Sequence, residues 1–279
     1  MPACQVARAH VATARRVITP VLEKRRQQKK TDPTAKFDDA MEWFETESYD
    51  PKTGKRAEYD PAVAQLVMSM AAIHTTTDLV CQVLIDIHRH GRDLLPEIRD
   101  EIVSCLREGG WKKTSLYNMK LLDSVIKETQ RVKPIGIVSM RRRAMETLTL
   151  SDGTVIPKGS SIAVSSHRMW SEEVHEDPDK WDGKRFLRMR EQPGRENFAQ
   201  LVSTSPDHLG FGHGQHACPG RFFAANETKI ALVFLLLQRE WEVPEGYTPK
   251  VREFGFSLGV DPDMEIMYRA RKSEIELDV

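Results

Sequence analysis

The sequence predicts a mainly α-helical fold carrying small β-sheets. Three observations predict it. A helical pattern of roughly 30 residues, about 45 Å at 1.5 Å per residue, runs from Asp60-Pro61 to about His90. Further helical stretches cover about 96–107, 115–132 and 221–239. Strand signals are short and confined to residues 147–165 and the C-terminal tail.

Each element has a local reason. The first 36 residues are rich in Arg and Lys, with a basic cluster from Lys24 to Lys30, and read as a solvated helix end and linker. Residues 31–60 hold Asp, Pro, Gly and Lys with few apolar positions, which predicts a loop with one short helix around Phe37 to Glu45. Asp60 can accept hydrogen bonds from the first exposed N–H groups of the long helix, and Pro61 suits its first turn. Gly91 is the expected stop. The next helix starts near Pro96 and ends at Gly109-Gly110. Ser115 then reads as the N-cap of a helix that closes before Pro134. Thr147–Leu150 and Val155-Ile156 flank Ser151-Asp152-Gly153, a hairpin signal, and Ser161–Ser165 reads as another strand. Residues 171–217 are mostly loop, which in a compact chain points to function or disorder. A last long helix runs from about Arg221 to Arg239, and the tail is β-rich. There is no internal repeat.

Composition narrows the function classes. The 279 residues carry 41 Lys+Arg against 41 Asp+Glu, so charge offers no argument for nucleic acid. At 40% hydrophobic and 29% charged, the chain belongs to the globular class and not the disordered one. The longest clean apolar run, Ile230 to Leu237, is far short of the roughly 20 residues a bilayer requires. The expectation is therefore that no segment spans a membrane. Residues 1–10 have no apolar stretch of signal-peptide type. Four cysteines, at 4, 81, 105 and 218, do not make a disulfide framework and suggest reduced thiols. Cys81 and Cys105 read as small core residues and Cys4 as an exposed thiol.

The chemistry concentrates in Phe211-Gly212-His213-Gly214-Gln215-His216-Ala217-Cys218-Pro219-Gly220, directly before the last long helix. The glycines permit a tight turn. Cys218 sits at the loop-to-helix junction, near the positive end of the helix dipole, where thiolate is favoured and can hold a soft or borderline metal. Nearby backbone N–H groups can tune the sulfur. An alternative on the same residues is a zinc site built from His208, His213, His216 and Cys218.

This segment resembles the haem-ligand signature of the cytochrome P-450 family, the haem-thiolate monooxygenases, Phe-x-x-Gly-x-(Arg/His)-x-Cys-x-Gly. Phe211, Gly214, His216, Cys218 and Gly220 fill its five fixed positions. Further segments resemble the family in the expected order. Glu128-Thr129-Gln130-Arg131 is similar to its Glu-x-x-Arg pair, with both side chains on one helical face. Residues 178–186 resemble its Pro-x-x-Phe-x-x-x-Arg-Phe segment, with Trp181 in the aromatic place. The resemblance implies a buried Glu128–Arg131–Arg185 network. Ala71-Ala72-Ile73-His74-Thr75-Thr76 resembles the oxygen-activation motif, with Ala72 for the usual Gly and His74 for the usual acid.

By this resemblance Cys218 is the axial thiolate of a haem b and Phe211 covers its sulfur. Thr75, helped by His74, manages protons. Arg142, among the neighbours Arg141 and Arg143, pairs with one haem propionate, and His216 serves the other propionate region. The implied reaction inserts one oxygen atom from O2 into an apolar, terpenoid-like substrate, with electrons from NADPH through a cytochrome reductase. The segments 71–78 and 209–224 look most like fungal members, including oxidases of diterpene and indole-diterpene skeletons, so secondary metabolism is the implied setting.

The resemblance covers about residues 60–270 and only the C-terminal half of the family's fold. The expectation is a truncated member: residues 1–59 as partial N-terminal helices and linker, 60–279 as the haem-binding half, and no N-terminal anchor. The family's place is the endoplasmic reticulum membrane, whereas this chain by itself would be soluble or cytoplasmic. Two other readings stand beside the oxygenase. One is an inactive remnant or binding partner of a full-length relative. The other is a haem-thiolate isomerase or dehydratase, which the missing acid at 74 favours and the presence of Thr75 opposes.

Overall fold

Asp60 opens the long helix as its chemistry suggests: Oδ1 accepts the Ala62 and Val63 N–H groups at 3.0 and 3.2 Å. The structure, a computed structural model, describes residues 2–277. Its helices are α1 (Pro2–Thr31), α2 (Ala40–Glu47), α3 (Pro61–His90), α4 (Leu95–Gly109), α5 (Lys113–Asn118), α6 (Lys120–Val132), α7 (Arg185–Arg190) and α8 (Arg221–Gln238). Its strands are β1 (Val138–Arg143), β2 (Leu148–Thr149), β3 (Val155–Ile156), β4 (Ser161–Ser165), β5 (Arg239–Glu242), β6 (Arg252–Phe254), β7 (Ser257–Gly259) and β8 (Met267–Ala270). They pair antiparallel in two-stranded sheets: β1 with β4, β2 with β3, β5 with β8 and β6 with β7. Contacts divide the chain into two compact units that meet within α3, Met1–His74 and Thr75–Val279.

In the first unit the basic cluster is not a solvated linker. It lies in α1, a helix of 30 residues with Pro20 inside it. An interior proline costs about 3 kcal/mol relative to alanine. The cluster also finds acids: Arg25 grips Asp39 through two bonds of 2.8 and 2.6 Å, and Arg26 grips Glu45 at 2.7 and 2.8 Å. Asp39 in turn caps α2 by accepting the Glu42 N–H.

In the second unit the core is built by one face of each of four helices. Leu79, Val83, Leu84 and Ile87 of α3 meet Ile98, Ile102 and Leu106 of α4, Leu122, Val125 and Ile126 of α6, and Leu232, Val233, Leu236 and Leu237 of α8. α6 is buried on its polar side as well, from Leu121 through Arg131. In a helix with no solvent face each polar side chain left unpaired is costly, and most of those of α6 find partners around it.

Several expectations change. Ser115 does not cap a helix; it lies inside α5, and α6 starts separately after Met119. The cap of α6 comes from another helix: the Glu101 carboxylate of α4 accepts the Leu121 and Leu122 N–H groups at 2.7 and 3.0 Å. Gly91 ends α3 at φ −123°, outside the left-handed region; what demands glycine there is Trp181, whose ring would lie 2.7 Å from an added Cβ. β1 is an additional strand, pairing Val138 with Ser165 and Arg143 with Ser161. Finally, α3 is long and apolar enough to cross a membrane, contrary to the expectation from the longest unbroken run. Gln65, Ser69, His74 and the threonines interrupt its apolar sequence without lowering its mean below that of a span. Its Leu79–Ile87 portion is core of the second unit.

Candidate functional site

The loop before α8 is shaped by two glycines in the left-handed region, Gly212 at φ +70° and Gly214 at φ +74°. Between them and the helix the chain closes on itself: the Cys218 N–H donates to the Phe211 carbonyl at 2.8 Å, and the Ala217 N–H to the Gly214 carbonyl at 3.0 Å. A Cβ on Gly214 would meet nothing within 4 Å, and one on Gly220 would lie 3.9 Å from Cys218 Sγ. The turn thus presents a half-buried thiol beside an open backbone, just ahead of the α8 N-cap at Gly220. Phe211 is half-buried and packs against the core.

The loop is held from below by residues that the motif reading missed. Arg221 reaches back to the Cys218 carbonyl at 2.8 Å and to the Val202 carbonyl at 3.2 Å. Gly210 abuts Gln130 of α6, so that any Cβ there would overlap the Gln130 side chain. Lys127, also on α6, donates to the carbonyls of Phe198 and Gln200 at 2.7 Å each and of Ser203 at 3.3 Å. Burial holds its ammonium down to about 7. His208 is buried, and burial drives it well below its ordinary value, so it is neutral. The Gly210 N–H points at its Nδ1 at 3.4 Å, which leaves Nε2 as the protonated nitrogen facing the Lys127 carbonyl at 3.4 Å. His175, buried beside Phe186, is held down to about 4, chiefly by burial. In sequence, Lys127 sits four residues after Asp123, the spacing of an ordinary surface ion pair; only its burial reveals another role.

Glu128, Arg131 and Arg185 come together. Arg131 grips Glu128 through Nε and Nη2 at 2.8 and 2.9 Å, with both side chains fully buried. Arg185 Nε lies 3.1 and 3.2 Å from the two Glu128 oxygens, and the Asp182 N–H adds a bond of 3.0 Å. The outer guanidinium nitrogens go to backbone: Arg131 to the Met169 carbonyl at 2.8 Å, Arg185 to the Glu176 carbonyl at 2.6 Å and the Lys180 carbonyl at 3.0 Å. A carboxylate with one forked guanidinium, a second guanidinium reaching both oxygens through Nε and a backbone donor compensates its desolvation. Trp181 joins the network by donating Nε1–H to Thr129 Oγ1 at 3.2 Å.

The remaining candidates lie on exposed positions. His74 and Thr75 are adjacent on α3 and both exposed. Arg141, Arg142 and Arg143 are exposed on β1, and His216 is exposed in the short turn Gly214–His216. Met140 adopts φ +51° where the β1–β4 register shifts between Ser139 and Arg142. This bulge re-aims the arginines that follow it, and Arg142 bonds back to the Arg141 carbonyl at 2.8 Å.

The donor chemistry separates the two metal readings. Zinc of the structural kind requires four protein ligands. Among the described residues no group of three or more His, Cys, Asp or Glu side chains comes together, and His208 has both ring nitrogens turned to backbone. A haem brings its own nitrogen donors and would need only one donor from the chain. A single half-buried thiol beside an open backbone turn, with exposed arginines and a histidine available to carboxylates, fits that group.

The chain is 50% identical to cytochrome P450 monooxygenase hepE of Aspergillus oryzae over 276 residues, which are 97% of this chain and 50% of that protein. It is 46% identical to cytochrome P450 monooxygenase adrA of Penicillium rubens, across 99% of this chain and 54% of that protein. It therefore spans about half the length of these curated relatives. Among solved structures, the cytochrome P450DA heme domain superposes with a TM-score of 0.74 at 20% identity, covering 97% of this chain and 56% of that one. The cytochrome P450 family model matches residues 2–266, and the chain belongs to the cytochrome P450 family.

Proposed function

We propose that residues 60–279 form the haem-binding half of a monooxygenase acting on an apolar, terpenoid-like substrate in fungal secondary metabolism. When bound, a thiolate-ligated haem supplies the activation of O2 needed to place one oxygen atom in an unactivated C–H bond, with electrons from NADPH through a reductase. The single observation that carries the reading is the Cys218 turn, a lone thiol ahead of α8 with two left-handed glycines and an open face.

The chain's own residues have distinct tasks. Cys218 would hold the haem iron through its thiolate. Phe211 shields its sulfur, and its carbonyl, bonded to the Cys218 N–H, sets the ligand's direction. Arg142 and His216 would hold the two propionates through charge-assisted hydrogen bonds. Thr75 orients a proton donor at its hydroxyl, and His74 relays protons where other family members place an acid. Glu128, Arg131 and Arg185 keep α6 and the 176–185 segment in one geometry beneath the loop. The fungal relatives and the His-Thr-Thr segment support the setting, and the family resemblance supports a place at the endoplasmic reticulum membrane. Because the chain spans half the length of these relatives, the test begins with the chain itself.

That test is the reduced, carbon-monoxide difference spectrum of the expressed chain with Cys218→Ala as control. A red-shifted Soret band that disappears in the variant is the expected result. Absence of haem uptake by the wild-type chain overturns the proposal for this chain.

A further inference from the structure

Asp78 lies one turn beyond Thr75 on α3 and takes partners from two distant places in the second unit. Its Oδ2 accepts from Lys133 Nζ at 2.5 Å, and its Oδ1 accepts the Val260 N–H at 2.6 Å. Lys133 is buried at the C-terminal end of α6. Val260 directly follows β7. The two partner segments are themselves joined. The Ile137 N–H donates to the Phe256 carbonyl at 3.0 Å, the Leu258 N–H donates to the Ile135 carbonyl at 3.1 Å, and Gly136 bridges Ser257. One carboxylate therefore ties helix α3, the exit from α6 and the exit from the β6–β7 hairpin at a single point.

The placement is unusual for its surroundings. Asp78 precedes Leu79 and Val80, which pack into the core. A charge at such a margin is costly unless fully partnered, and this one has a cation and a backbone donor. What the clamp holds in place is not core. The hairpin and the segment it meets between α6 and β1 carry Phe254, Phe256 and Ile135, exposed by 82%, 56% and 47%. Three large apolar side chains are kept in solvent on a segment whose position relative to the Thr75 turn is set by a polar junction.

We propose that Asp78 is a positioning residue that fixes the apolar rim Ile135–Phe254–Phe256 against α3 and so sets how an apolar substrate is presented to the turn bearing Thr75. The substrate half of this proposal rests on the oxygenase reading; the clamp itself does not. Asp78→Asn keeps an acceptor for the Val260 N–H but withdraws the charge from Lys133. Asp78→Ala removes both bonds, and Lys133→Arg retains the pair.

The experiment is hydrogen exchange of the full chain read by mass spectrometry, followed by titration of the haem-loaded protein with geranylgeraniol as the apolar probe. Asp78→Ala should speed exchange over residues 256–260 by about tenfold or more, with α6 within about twofold of wild type. Asp78→Asn should fall between, and Lys133→Arg should stay near wild type. Should Asp78→Ala fail to fold, the comparison of Asp78→Asn with Lys133→Arg carries the test. Unchanged exchange over 256–260 in a folded Asp78 variant overturns the clamp. In the haem-loaded protein, Asp78→Asn should weaken the probe-induced spectral shift by about tenfold while the thiolate signature stays unchanged. Equal probe affinity with a loosened hairpin overturns the substrate role. Loss of the thiolate signature already in wild type defeats the oxygenase reading instead, and the exchange result still decides the clamp.

Discussion

The Cys218 N–H donates to the Phe211 carbonyl at 2.8 Å, closing a turn whose bend is made by Gly212 and Gly214 at φ +70° and +74°. An L-residue in the left-handed region costs about 1–2 kcal/mol. Neither glycine has a neighbour within 3.4 Å of an added Cβ, so backbone strain is the whole expected effect. Gly212→Ala and Gly214→Ala should each lower stability by about that amount, read by denaturant melts. In the haem-loaded protein they should also weaken haem retention, read as dissociation to apomyoglobin.

Glu128 is the hub between two guanidinium groups, with no water-facing side. Glu128→Gln keeps the shape but leaves buried Arg131 without its counter-charge, so the loss should reach about 3–5 kcal/mol. Arg185→Lys keeps the charge but forfeits the fork that reaches the Glu176 and Lys180 carbonyls, and should cost less. Urea unfolding of the two variants side by side checks the order. An Arg185→Lys loss equal to that of Glu128→Gln would show that backbone anchoring, not the ion pair, dominates.

Asp86 gives a pH dependence of known sign. The side chain is buried, its Oδ1 accepts from Gln82 at 2.9 Å, and its Oδ2 lacks a hydrogen-bond partner. Burial pushes its carboxyl up to about 6; the Gln82 hydrogen bond and the charges of Lys133 and Arg89 offset only part of this. The folded state thus holds a proton that the unfolded state releases near 3.8. The stability from protonated Asp86 is complete below the unfolded value and is lost as pH rises to the folded one, by about 3 kcal/mol at most. Asp86→Asn should therefore gain on wild type as pH rises from 4 to 6, with the gain level above that range. Melting curves of both proteins across pH 4 to 8 read the difference, in which other titrating groups cancel.

Gly91 and Gly183 both abut the Trp181 ring, each with an added Cβ at 2.7 Å from it. The ring cannot readily retreat, because its Nε1–H is bonded to Thr129. Gly91→Ala should cost about 1–3 kcal/mol by overpacking. In the double variant with Trp181→Phe, which shortens the ring, the penalty of the alanine should shrink. Strict additivity in that cycle would refute the steric explanation.

How much of this was legible depended on the range of the contact that decides it. The caps and bounds of α3, the β2–β3 hairpin and the bounds of β4 are local and were readable from Asp60, Gly153 and the residues around them. The start of α6 was not readable, because its cap is Glu101, 20 residues away on another helix. Ser115 looked like the cap since its type suits one; in the fold its Oγ is buried against Gly109 and has no hydrogen-bond partner. The basic cluster of α1 looked solvated because its partners, Glu42 and Glu45 in the next helix and Asp39 at that helix's N-cap, lie beyond the intervening loop.

The sequence alone determined which side chains can do chemistry and in what order they occur: one thiol in a glycine turn ahead of a long helix, a Glu-x-x-Arg pair, and a threonine run inside another helix. Those are matters of residue type and of spacing within a turn or two, which backbone geometry converts directly into a shared face. Only the tertiary structure decided that α6 is buried on every side, that Lys127 therefore turns inward to carbonyls of the loop and His208 of the loop to the Lys127 carbonyl, and that Asp78 joins three segments. Burial is a property of everything packed around a residue. A polar side chain cut off from water must take whatever donor or acceptor the fold brings near, and that partner has no fixed distance along the chain.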